Sequence, residues 1–333
     1  MFQKELTDLL LSWYQKSGRD LPWRVKGGAH PNPYVILVSE FMLQQTTVKT
    51  VIPYFYRFMA RFPTIYDLAK ANEEEVYQLW QGLGYYSRAR SLHATAQIIV
   101  NDFDGRFPST REDVLKLKGI GPYTVASFLA LAYNLPETVI DGNVMRIIAR
   151  LYHLTQPLDE ISDTIKQKAE ALTSQSSPAD YASAIMDLGA TVCTPKNPQC
   201  LLCPWQNYCL SKDKPNLETI PCRKKIGKKE QSGFVYLIYN DKNEILIRKR
   251  SEKGLLSGLY EFPWNIGNKS INNAQDTEET VTHVFTHIKL TLKILIVKSN
   301  VSPVVDGFFV PVNKLNDYAL STLMKKVFKK ANK

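Results

Sequence analysis

The spacing of apolar side chains divides the chain into two parts. Up to residue 211, apolar side chains recur at intervals of three and four residues, and this pattern predicts amphipathic helices. Proline and glycine residues stand between these segments and mark where the helices end. The predicted helices cover residues 5–16, 35–56, 73–80, 88–103, 123–133, 144–152, 162–173 and 179–192.

After residue 231 the pattern becomes typical of strands. A turn-rich quartet at 240–243 separates the first two apolar runs, which predicts a β-hairpin. A short helix is predicted at 320–330. The strand-like segments are 234–239, 244–250, 284–299 and 304–311.

We therefore expect three regions along the 333 residues. The first is a mostly α-helical domain at 1–211. The second, at 212–231, is polar and basic and has the composition of a linker. The third is a smaller α+β domain at 232–333.

The balance of charge favours a polyanionic partner. Lysine and arginine exceed the acidic residues by 42 to 32, which gives a net charge of +10. Much of the excess lies in two runs, at 223–229 and 325–333, and such runs are more often solvated than bound. No apolar stretch has the length of about 18 residues that predicts a membrane span. The N-terminus does not resemble a secretory signal, so we expect a cytoplasmic protein associated with a bacterial nucleoid.

Four of the five cysteines form one compact group with the spacing C-x6-C-x2-C-x5-C. They are Cys193, Cys200, Cys203 and Cys209, and Cys222 lies outside the group. Structural zinc sites usually contain two C-x2-C pairs with a longer loop between them, and a single such pair occurs here. The compact spacing favours a [4Fe–4S] cluster, with zinc and disulfide bonds as the alternatives.

A glycine-containing turn connects two predicted helices, at 110–117 and 123–133. Gly119 and Gly121, which follow Lys118, permit a tight turn that exposes backbone N–H groups beside the N-terminus of the second helix. This helix–hairpin–helix pattern suits the phosphate backbone of DNA, although any turn between helices can use the same glycines.

Two acidic residues have surroundings that suit acid–base chemistry. Glu40 lies within an apolar run, where loss of solvent favours the protonated form that a general acid needs. Asp141 lies just before a predicted helix and is a candidate for the carboxylate that faces a developing cation. The alternatives are an exposed glutamate on an amphipathic helix and an aspartate that only caps a helix.

Six motifs occur in one order that resembles the MutY-type adenine DNA glycosylases of the endonuclease III superfamily. The resemblance covers nearly all of 1–211 and continues more weakly to the C-terminus. The motifs are LPWR at 21–24, SEFMLQQT at 39–46, GLGYYSRAR at 82–90, GIGPY at 119–123, DGNV at 141–144 and the cysteine group.

The resemblance implies a monofunctional glycosylase of base excision repair that removes adenine paired with 8-oxoguanine or guanine. The adenine is flipped into a pocket before its N-glycosidic bond is hydrolysed. By motif position, Glu40 protonates the adenine and helps to activate the nucleophile, and Asp141 stabilises the oxocarbenium-like sugar. Tyr123 and Asn143 support this pair. Bifunctional relatives carry lysine where this chain has Tyr123, and tyrosine cannot form the Schiff base that cuts the strand.

Further positions match residues that touch DNA in this family. Gln45 and Tyr85 are implied to probe or wedge the duplex near the mispair. Arg24 and Arg88 could contact phosphates or the flipped strand, and the loop of Lys196 could press a positive charge onto a phosphate. Lys118, Gly119 and Gly121 belong to the hairpin expected to bind the phosphate backbone. The alternatives are a surface amide for Gln45, a core aromatic for Tyr85 and an ordinary solvated lysine for Lys196.

Residues 234–250 and the segment GLYEFP at 258–263 resemble the Nudix-type domain that these enzymes carry. The acidic helix with which a Nudix hydrolase holds Mg²⁺ is missing from the sequence, so hydrolase activity is not expected. In the family this domain recognises 8-oxoguanine, and Phe285, Thr286 and His287 match the recognition loop. The spacing between these motifs is shorter than usual, so we expect the helix that covers the sheet to be truncated.

Three other functions fit parts of the chain. An endonuclease III-type pyrimidine or mismatch glycosylase is disfavoured by Tyr123 and by the C-terminal domain. A non-catalytic iron–sulfur protein that binds DNA is disfavoured by the presence of both Glu40 and Asp141. A nucleotide-pool pyrophosphatase is disfavoured by the missing acidic helix. The expected enzyme is a monomer that acts on double-stranded DNA and has no membrane partner.

Overall fold

The computed structural model describes residues 2–25, 31–222, 227–251, 254–271, 273–285, 287–298 and 306–332. Contacts within the chain group it into two compact units. The first unit contains Met1–Lys70 and Ala94–Lys225, and the second contains Ala71–His93 and Ile226–Lys333.

The first unit is built from helices. Helix α5 and the beginning of α6 belong to the second unit, as does α12. In chain order the α-helices are α1 (Phe2–Ser17), α2 (Pro33–Leu43), α3 (Val48–Arg61), α4 (Ile65–Lys70), α5 (Glu73–Trp80), α6 (Ser87–Asp102), α7 (Arg111–Leu115), α8 (Pro122–Tyr133), α9 (Gly142–Leu151), α10 (Leu158–Leu172), α11 (Pro178–Asp187) and α12 (Thr322–Ala331). None of the helices in the described part of the chain combines the length and the apolar character that crossing a membrane requires.

Helices α2 and α8 lie at the centre of the first unit. Every residue of α8 from Thr124 to Ala132 is buried, and α2 is buried from Ile36 to Met42. A helix that is apolar on all sides must be covered on all sides, and α8 packs against both α2 and α11. Glu40, in α2, is therefore held within the core.

The predicted helix at 35–56 is wrong, because two helices occupy this stretch. Gln45 has a φ of 57°, in the left-handed region, which ends α2 and lets α3 begin at Val48. Neither glycine nor proline occurs at 44–47, so the apolar period contains no sign of the break.

The predicted helix at 179–192 also continues too far as an α-helix. Helix α11 ends at Asp187, and Leu188–Val192 form a π-helical turn. π-helical turns are frequently found at functional sites, and this one leads directly into the cysteine group.

The second unit contains a mixed sheet, with seven strands in its described residues. The strand order is β3-β2-β1-β6-β5, with β4 paired to β1 and β7 paired to β2. Strands β1 and β6 run parallel along their whole length, and the other pairs are antiparallel. The strands are β1 (Lys229–Tyr239), β2 (Glu244–Lys249), β3 (Tyr260–Glu261), β4 (Trp264–Ile266), β5 (Gln275–Val284), β6 (Ile288–Lys298) and β7 (Phe308–Pro311).

Alternate residues of β1 face opposite sides of the sheet. Val235 and Leu237 belong to one apolar cluster, whereas Tyr236 and Ile238 belong to another. Helix α12 covers the first cluster with its apolar face. A mostly α-helical unit followed by an α+β unit is the fold class that the apolar pattern predicts.

Strand β5 is absent from the predicted elements. It occupies much of the stretch where a truncated helix is expected, and no helix occurs among the described residues between 264 and 284. Glu279 lies in β5 and pairs with Lys330 of α12 at 2.8 Å. The predicted strand at 284–299 joins the end of β5, at Val284, to β6, which begins at Ile288, so two strands meet where one is predicted.

Candidate active site

A cavity of about 740 Å³ opens in the first unit, and the four residues predicted to take part in catalysis line it. They are Glu40, Tyr123, Asp141 and Asn143. Glu40 lies in α2, Tyr123 in the first turn of α8, and Asp141 and Asn143 at the start of α9. The helical packing thus brings together residues that are far apart in the sequence.

The carboxyl group of Glu40 is almost completely withdrawn from solvent, with 5% of the residue exposed. Burial raises the pKa of Glu40 to about 7. Ser127 and, more weakly, Arg24 oppose this rise, whereas the carboxylate of Asp141 adds to it. A carboxyl group with this pKa is partly protonated near neutrality, so it can give a proton and later accept one.

Asp141 caps helix α9 and also faces the cavity. Its Oδ1 accepts hydrogen bonds from the backbone N–H groups of Asn143 at 2.8 Å and Val144 at 2.7 Å. Its Oδ2 accepts a hydrogen bond from the side-chain amide of Asn143 at 3.0 Å. The N-terminus of a helix favours negative charge, so the cavity contains a carboxylate in a fixed position.

Tyr123 lies close to both carboxyl groups. Burial raises the pKa of Tyr123 well above its ordinary value, and the charges of Glu40 and Asp141 add to the rise. The hydroxyl group lies 3.5 Å from Sδ of Met186. Tyr123 therefore remains a neutral phenol at physiological pH and serves as a hydrogen-bonding group.

A chain of hydrogen bonds leads from Asp141 to the cysteine group. Nη2 of Arg146 donates to Oδ1 of Asn143 at 3.0 Å and to the carbonyl oxygen of Gly189 at 2.7 Å. Nε of Arg146 donates to the carbonyl oxygen of Cys193 at 2.9 Å. Gly189 permits this close approach, because a Cβ there would lie 2.6 Å from Cβ of Asn143.

The four cysteines predicted to bind a cluster line one small cavity next to Arg150. Arg150 is 1% exposed, and its Nη1 lies 3.6 Å from Sγ of Cys193. The same guanidinium donates to the carbonyl oxygens of Thr194 at 2.6 Å and Pro195 at 2.9 Å. Four thiols around one cavity, beside a buried cation, suit a thiolate-bound cluster. No group of three or more potential ligands among the described residues is arranged to hold a single metal ion.

Arg24 faces the interior of the first unit. Its side chain is 9% exposed and makes two hydrogen bonds of 2.8 Å to the carboxylate of Asp187. Burial disfavours the charge of Asp187, but Arg24 and Arg19 together hold the pKa of Asp187 below its ordinary value. Arg24 thus lies in the wall of the cavity, in place of the exposed position that a contact with a DNA phosphate needs.

In the second unit, Arg88 and Tyr85 differ sharply in exposure. Arg88 is 6% exposed and donates hydrogen bonds to the carbonyl oxygens of Leu83 and Gly84. Its interior position does not suit the predicted phosphate contact. Tyr85 is 46% exposed, as a residue that enters a duplex must be.

The other residues predicted to contact DNA lie at the surface of the first unit. Gln45, Lys118, Gly119 and Lys196 are exposed, and Gly121 is partly exposed. Gly119 has a φ of 72°, and Gly121 caps α8, which begins with a proline. The turn between α7 and α8 therefore has the predicted hairpin form, with its N–H groups at a helix N-terminus.

The predicted recognition loop connects β5 and β6 in the second unit. The N–H of Phe285 donates to the carbonyl oxygen of Ile288 at 2.7 Å, and Nζ of Lys228 donates to the carbonyl oxygen of Phe285 at 3.2 Å. His287 is exposed at the turn. Thr286 lies outside the described residues.

Sequence reasoning missed three buried charged residues of the site, Arg146, Arg150 and Asp187. Each lies within a segment whose other residues follow the apolar period of a helix. A charge inside such a segment needs a buried partner, and that requirement is the signal that could have found them. Their partners come from distant parts of the chain, so the pairings themselves are not readable from the sequence.

Comparison with known families matches three parts of the chain. Residues 38–173 match the HhH-GPD superfamily base excision DNA repair protein. Residues 193–209 match the iron–sulfur binding domain of endonuclease III. Residues 234–330 match the NUDIX domain.

Two similar curated proteins are adenine DNA glycosylases. The adenine DNA glycosylase of Buchnera aphidicola subsp. Baizongia pistaciae (strain Bp) is 35% identical over 288 residues, which cover 84% of this chain and 80% of that protein. The adenine DNA glycosylase of Buchnera aphidicola subsp. Schizaphis graminum (strain Sg) is 36% identical over 312 residues, which cover 89% and 88%. Among solved structures, a thermostable thymine-DNA glycosylase is 28% identical with a TM-score of 0.56, over 64% of this chain and 97% of that one.

The fold and the cavity define a DNA glycosylase of the helix–hairpin–helix class. The chain belongs to the adenine DNA glycosylases, which cleave the N-glycosyl bond of adenine in base excision repair. The predicted fold class, enzyme class, DNA substrate and [4Fe–4S] cofactor are confirmed.

Replacing Glu40 by glutamine tests the environment of the buried carboxyl group. The folded-state pKa of about 7 exceeds the ordinary value of 4.5, so the folded protein favours the protonated form. The stability that Glu40 contributes is complete below the ordinary pKa and is lost as the pH rises through about 7. Glu40→Gln mimics the neutral form at every pH. When the pH is raised from about 5 to about 8, the free energy of unfolding should therefore fall by about 2 kcal/mol more in the wild type than in Glu40→Gln.

The measurement is urea unfolding of both proteins at the two pH values. Glu160→Gln, at an exposed position of α10, is the control and should retain the pH dependence of the wild type. Equal losses of stability in the wild type and in Glu40→Gln would contradict a raised pKa.

Proposed function

We propose that this enzyme hydrolyses the N-glycosidic bond of adenine paired with 8-oxoguanine or guanine, and that the cavity of the first unit receives the flipped adenine. One observation carries the proposal: a protonatable Glu40 and a fixed carboxylate of Asp141 line the same cavity. A purine leaves more easily when an acid protonates the base and an anion stabilises the cationic sugar that remains.

In this proposal Glu40 acts first as an acid. Its proton goes to N7 of adenine, and the base leaves as neutral adenine with the electron pair of the N9–C1′ bond. The Glu40 carboxylate then accepts a proton from the water that attacks C1′. Asp141 stabilises the intervening sugar cation by its charge or by a transient covalent bond. Asn143 holds the Asp141 carboxylate in place. Tyr123, whose hydroxyl lies 3.5 Å from Sδ of Met186 in the cavity wall, donates a hydrogen bond within the cavity.

Single-turnover release of adenine tests the proposal. Duplexes that contain 8-oxoguanine:A, G:A, 8-oxoguanine:C or uracil are compared, and we expect release from the first two. Glu40→Gln should be slower by about 100-fold or more, because it cannot transfer the proton. The wild-type rate should fall as the pH rises above about 7, where the acid form is lost. Absence of adenine release from 8-oxoguanine:A, or full activity in Glu40→Gln, would overturn the proposal, and Glu160→Gln should act at the wild-type rate.

We expect the enzyme to release the base without cutting the strand. Tyr123 stands in the first turn of α8, where the family's bifunctional members carry an amine, and a neutral phenol cannot form a Schiff base. Borohydride reduction during turnover should therefore trap no covalent adduct between enzyme and DNA, as judged by denaturing electrophoresis. A robust adduct would rule out a monofunctional enzyme, and a Tyr123→Lys variant shows whether the position can support one.

DNA is bound, in this proposal, by the hairpin between α7 and α8 and by exposed residues elsewhere. Lys118 and the N–H groups near Gly119 and Gly121 bind phosphates, Gln45 probes the mispair, and the surface loop of Lys196 adds a positive charge. Cys193, Cys200, Cys203 and Cys209 line one cavity and would hold the cluster, which would stiffen that loop when bound.

Gly121→Ala tests the approach of the hairpin to the phosphate backbone. A Cβ at Gly121 would meet no heavy atom of the protein within 4 Å, so the variant should fold normally. It should bind DNA about tenfold more weakly, equally for damaged and normal duplexes, because the methyl group separates the N–H groups from the phosphates. Fluorescence anisotropy gives the affinities. Gly227→Ala is the control, since a Cβ there also meets open space, and equal binding by both variants would contradict the contact.

Recognition of 8-oxoguanine is assigned to the C-terminal domain. We expect base release in the predicted domain at 1–211 and lesion recognition in the predicted domain at 232–333. Strand β1 begins at Lys229 and so takes up the end of the predicted linker at 212–231. In this proposal the oxidised base or its phosphate is contacted by Phe285, Thr286 and His287. The exposure of His287 supports this contact. We also expect the enzyme to act as a monomer on nucleoid DNA.

A further inference from the structure

The turn that carries Tyr85 has an unusual backbone for an aromatic residue. Tyr85 has a φ of 48° and the preceding Gly84 has a φ of 72°, so two successive residues are left-handed. The left-handed region is rare and costly for a bulky side chain and persists where surrounding contacts impose it. The ring of Tyr85 is 46% exposed, so contacts beneath the turn have to supply that constraint.

Two buried side chains, Arg88 and Trp80, donate hydrogen bonds to the carbonyl oxygens just before Tyr85. Nη2 of Arg88 donates to the carbonyl oxygens of Leu83 at 3.2 Å and Gly84 at 3.1 Å. The indole N–H of Trp80 donates to the same oxygen of Gly84 at 3.2 Å. The backbone N–H of Arg88 donates to the carbonyl oxygen of Tyr85 at 2.9 Å, so the turn is held on both sides of its exposed ring.

The guanidinium group of Arg88 also supports the ring itself. Its Cζ lies 5.3 Å from the ring centroid of Tyr85 and 5.5 Å from that of Trp80, within the range of cation–π attraction. A planar guanidinium can donate hydrogen bonds at its edge while its faces contact aromatic rings, which a lysine ammonium cannot do. Burial lowers the pKa of Arg88 to about 10, so the group stays charged at neutral pH despite its interior position.

We infer that Arg88 is a positioning residue for Tyr85: it locks the turn so that the exposed ring enters the DNA duplex as a preformed wedge. The inference rests on the proposed function, because the duplex is what Tyr85 is taken to contact. A wedge that is already ordered loses less conformational freedom on binding, so more of its stacking energy appears as affinity for the distorted mispair site. Arg88 itself touches no DNA in this arrangement.

A double-mutant cycle tests this role. Arg88→Met, Tyr85→Ala and the double variant are made in a Glu40→Gln background, in which turnover is expected to be slow enough for binding to be measured. The measured quantity is the ratio of the Kd for a normal duplex to the Kd for an 8-oxoguanine:A duplex. Each single variant should lower this ratio by about tenfold, and the double variant should lower it no further, because Arg88 acts through Tyr85. Arg88→Lys should not restore the ratio.

Arg90→Met is the matched control on the same helix. Nε of Arg90 donates to the hydroxyl of Tyr77 at 3.0 Å and Nη2 donates to the carbonyl oxygen of Ser257 at 2.6 Å, so its loss also removes two hydrogen bonds from the second unit. It should lower the unfolding midpoint and leave the binding ratio unchanged. A ratio that falls equally in Arg90→Met would mean that general destabilisation explains the effect, which overturns the inference.

The remaining outcomes separate the inference from the proposed function. An unchanged ratio in Arg88→Met, or single effects that multiply in the double variant, overturns the role of Arg88. An unchanged ratio in Tyr85→Ala overturns the wedge and, with it, the role of Arg88. Equal binding of normal and mispaired duplexes by the Glu40→Gln parent overturns the proposed function. Should Arg88→Met not unfold cooperatively, Arg88→Gln, which retains a donor group, takes its place in the cycle.

Discussion

Helix α9 buries two arginine side chains, and the arrangement of the first unit follows from how their charges are satisfied. A buried guanidinium without partners is very costly, so the donors of Arg146 and Arg150 have to be met by acceptors from other segments. Those acceptors are mostly carbonyl oxygens of the segment that carries Cys193. The same helix is capped by Asp141, so one rigid element sets both the cysteine group and the carboxylate that faces the cavity.

The two carboxyl groups of the cavity are similar side chains, but their environments favour different charge states. Asp141 accepts two backbone N–H groups at a helix N-terminus, which favours its charge. Glu40 lies inside a fully covered helix, which disfavours charge and keeps a proton available near neutral pH. Their proximity strengthens the difference, because the negative charge of Asp141 makes ionisation of Glu40 harder.

The arginines of the shared motifs illustrate a limit of sequence reasoning. Arg24 and Arg88 are positively charged residues in a basic protein, so contact with phosphate was a reasonable prediction for both. In the fold both turn inward, where Arg24 binds the carboxylate of Asp187 and Arg88 binds carbonyl oxygens. A guanidinium group suits both roles, because its donors fit carboxylates and carbonyl oxygens as well as phosphates. Exposed lysines and backbone N–H groups remain as the proposed contacts with phosphate.

The sequence by itself determined the features that depend on local order: the helical period up to residue 211, the spacing of the four cysteines, the capping position of Asp141 and the glycine hairpin at Gly119. These need only the properties of neighbouring residues. The tertiary structure decided the rest, namely the break at Gln45, the added strand β5, the raised pKa of Glu40 and the inward direction of Arg24 and Arg88. Desolvation and hydrogen-bond pairing depend on which distant segments cover a side chain, and only the packed fold specifies that cover.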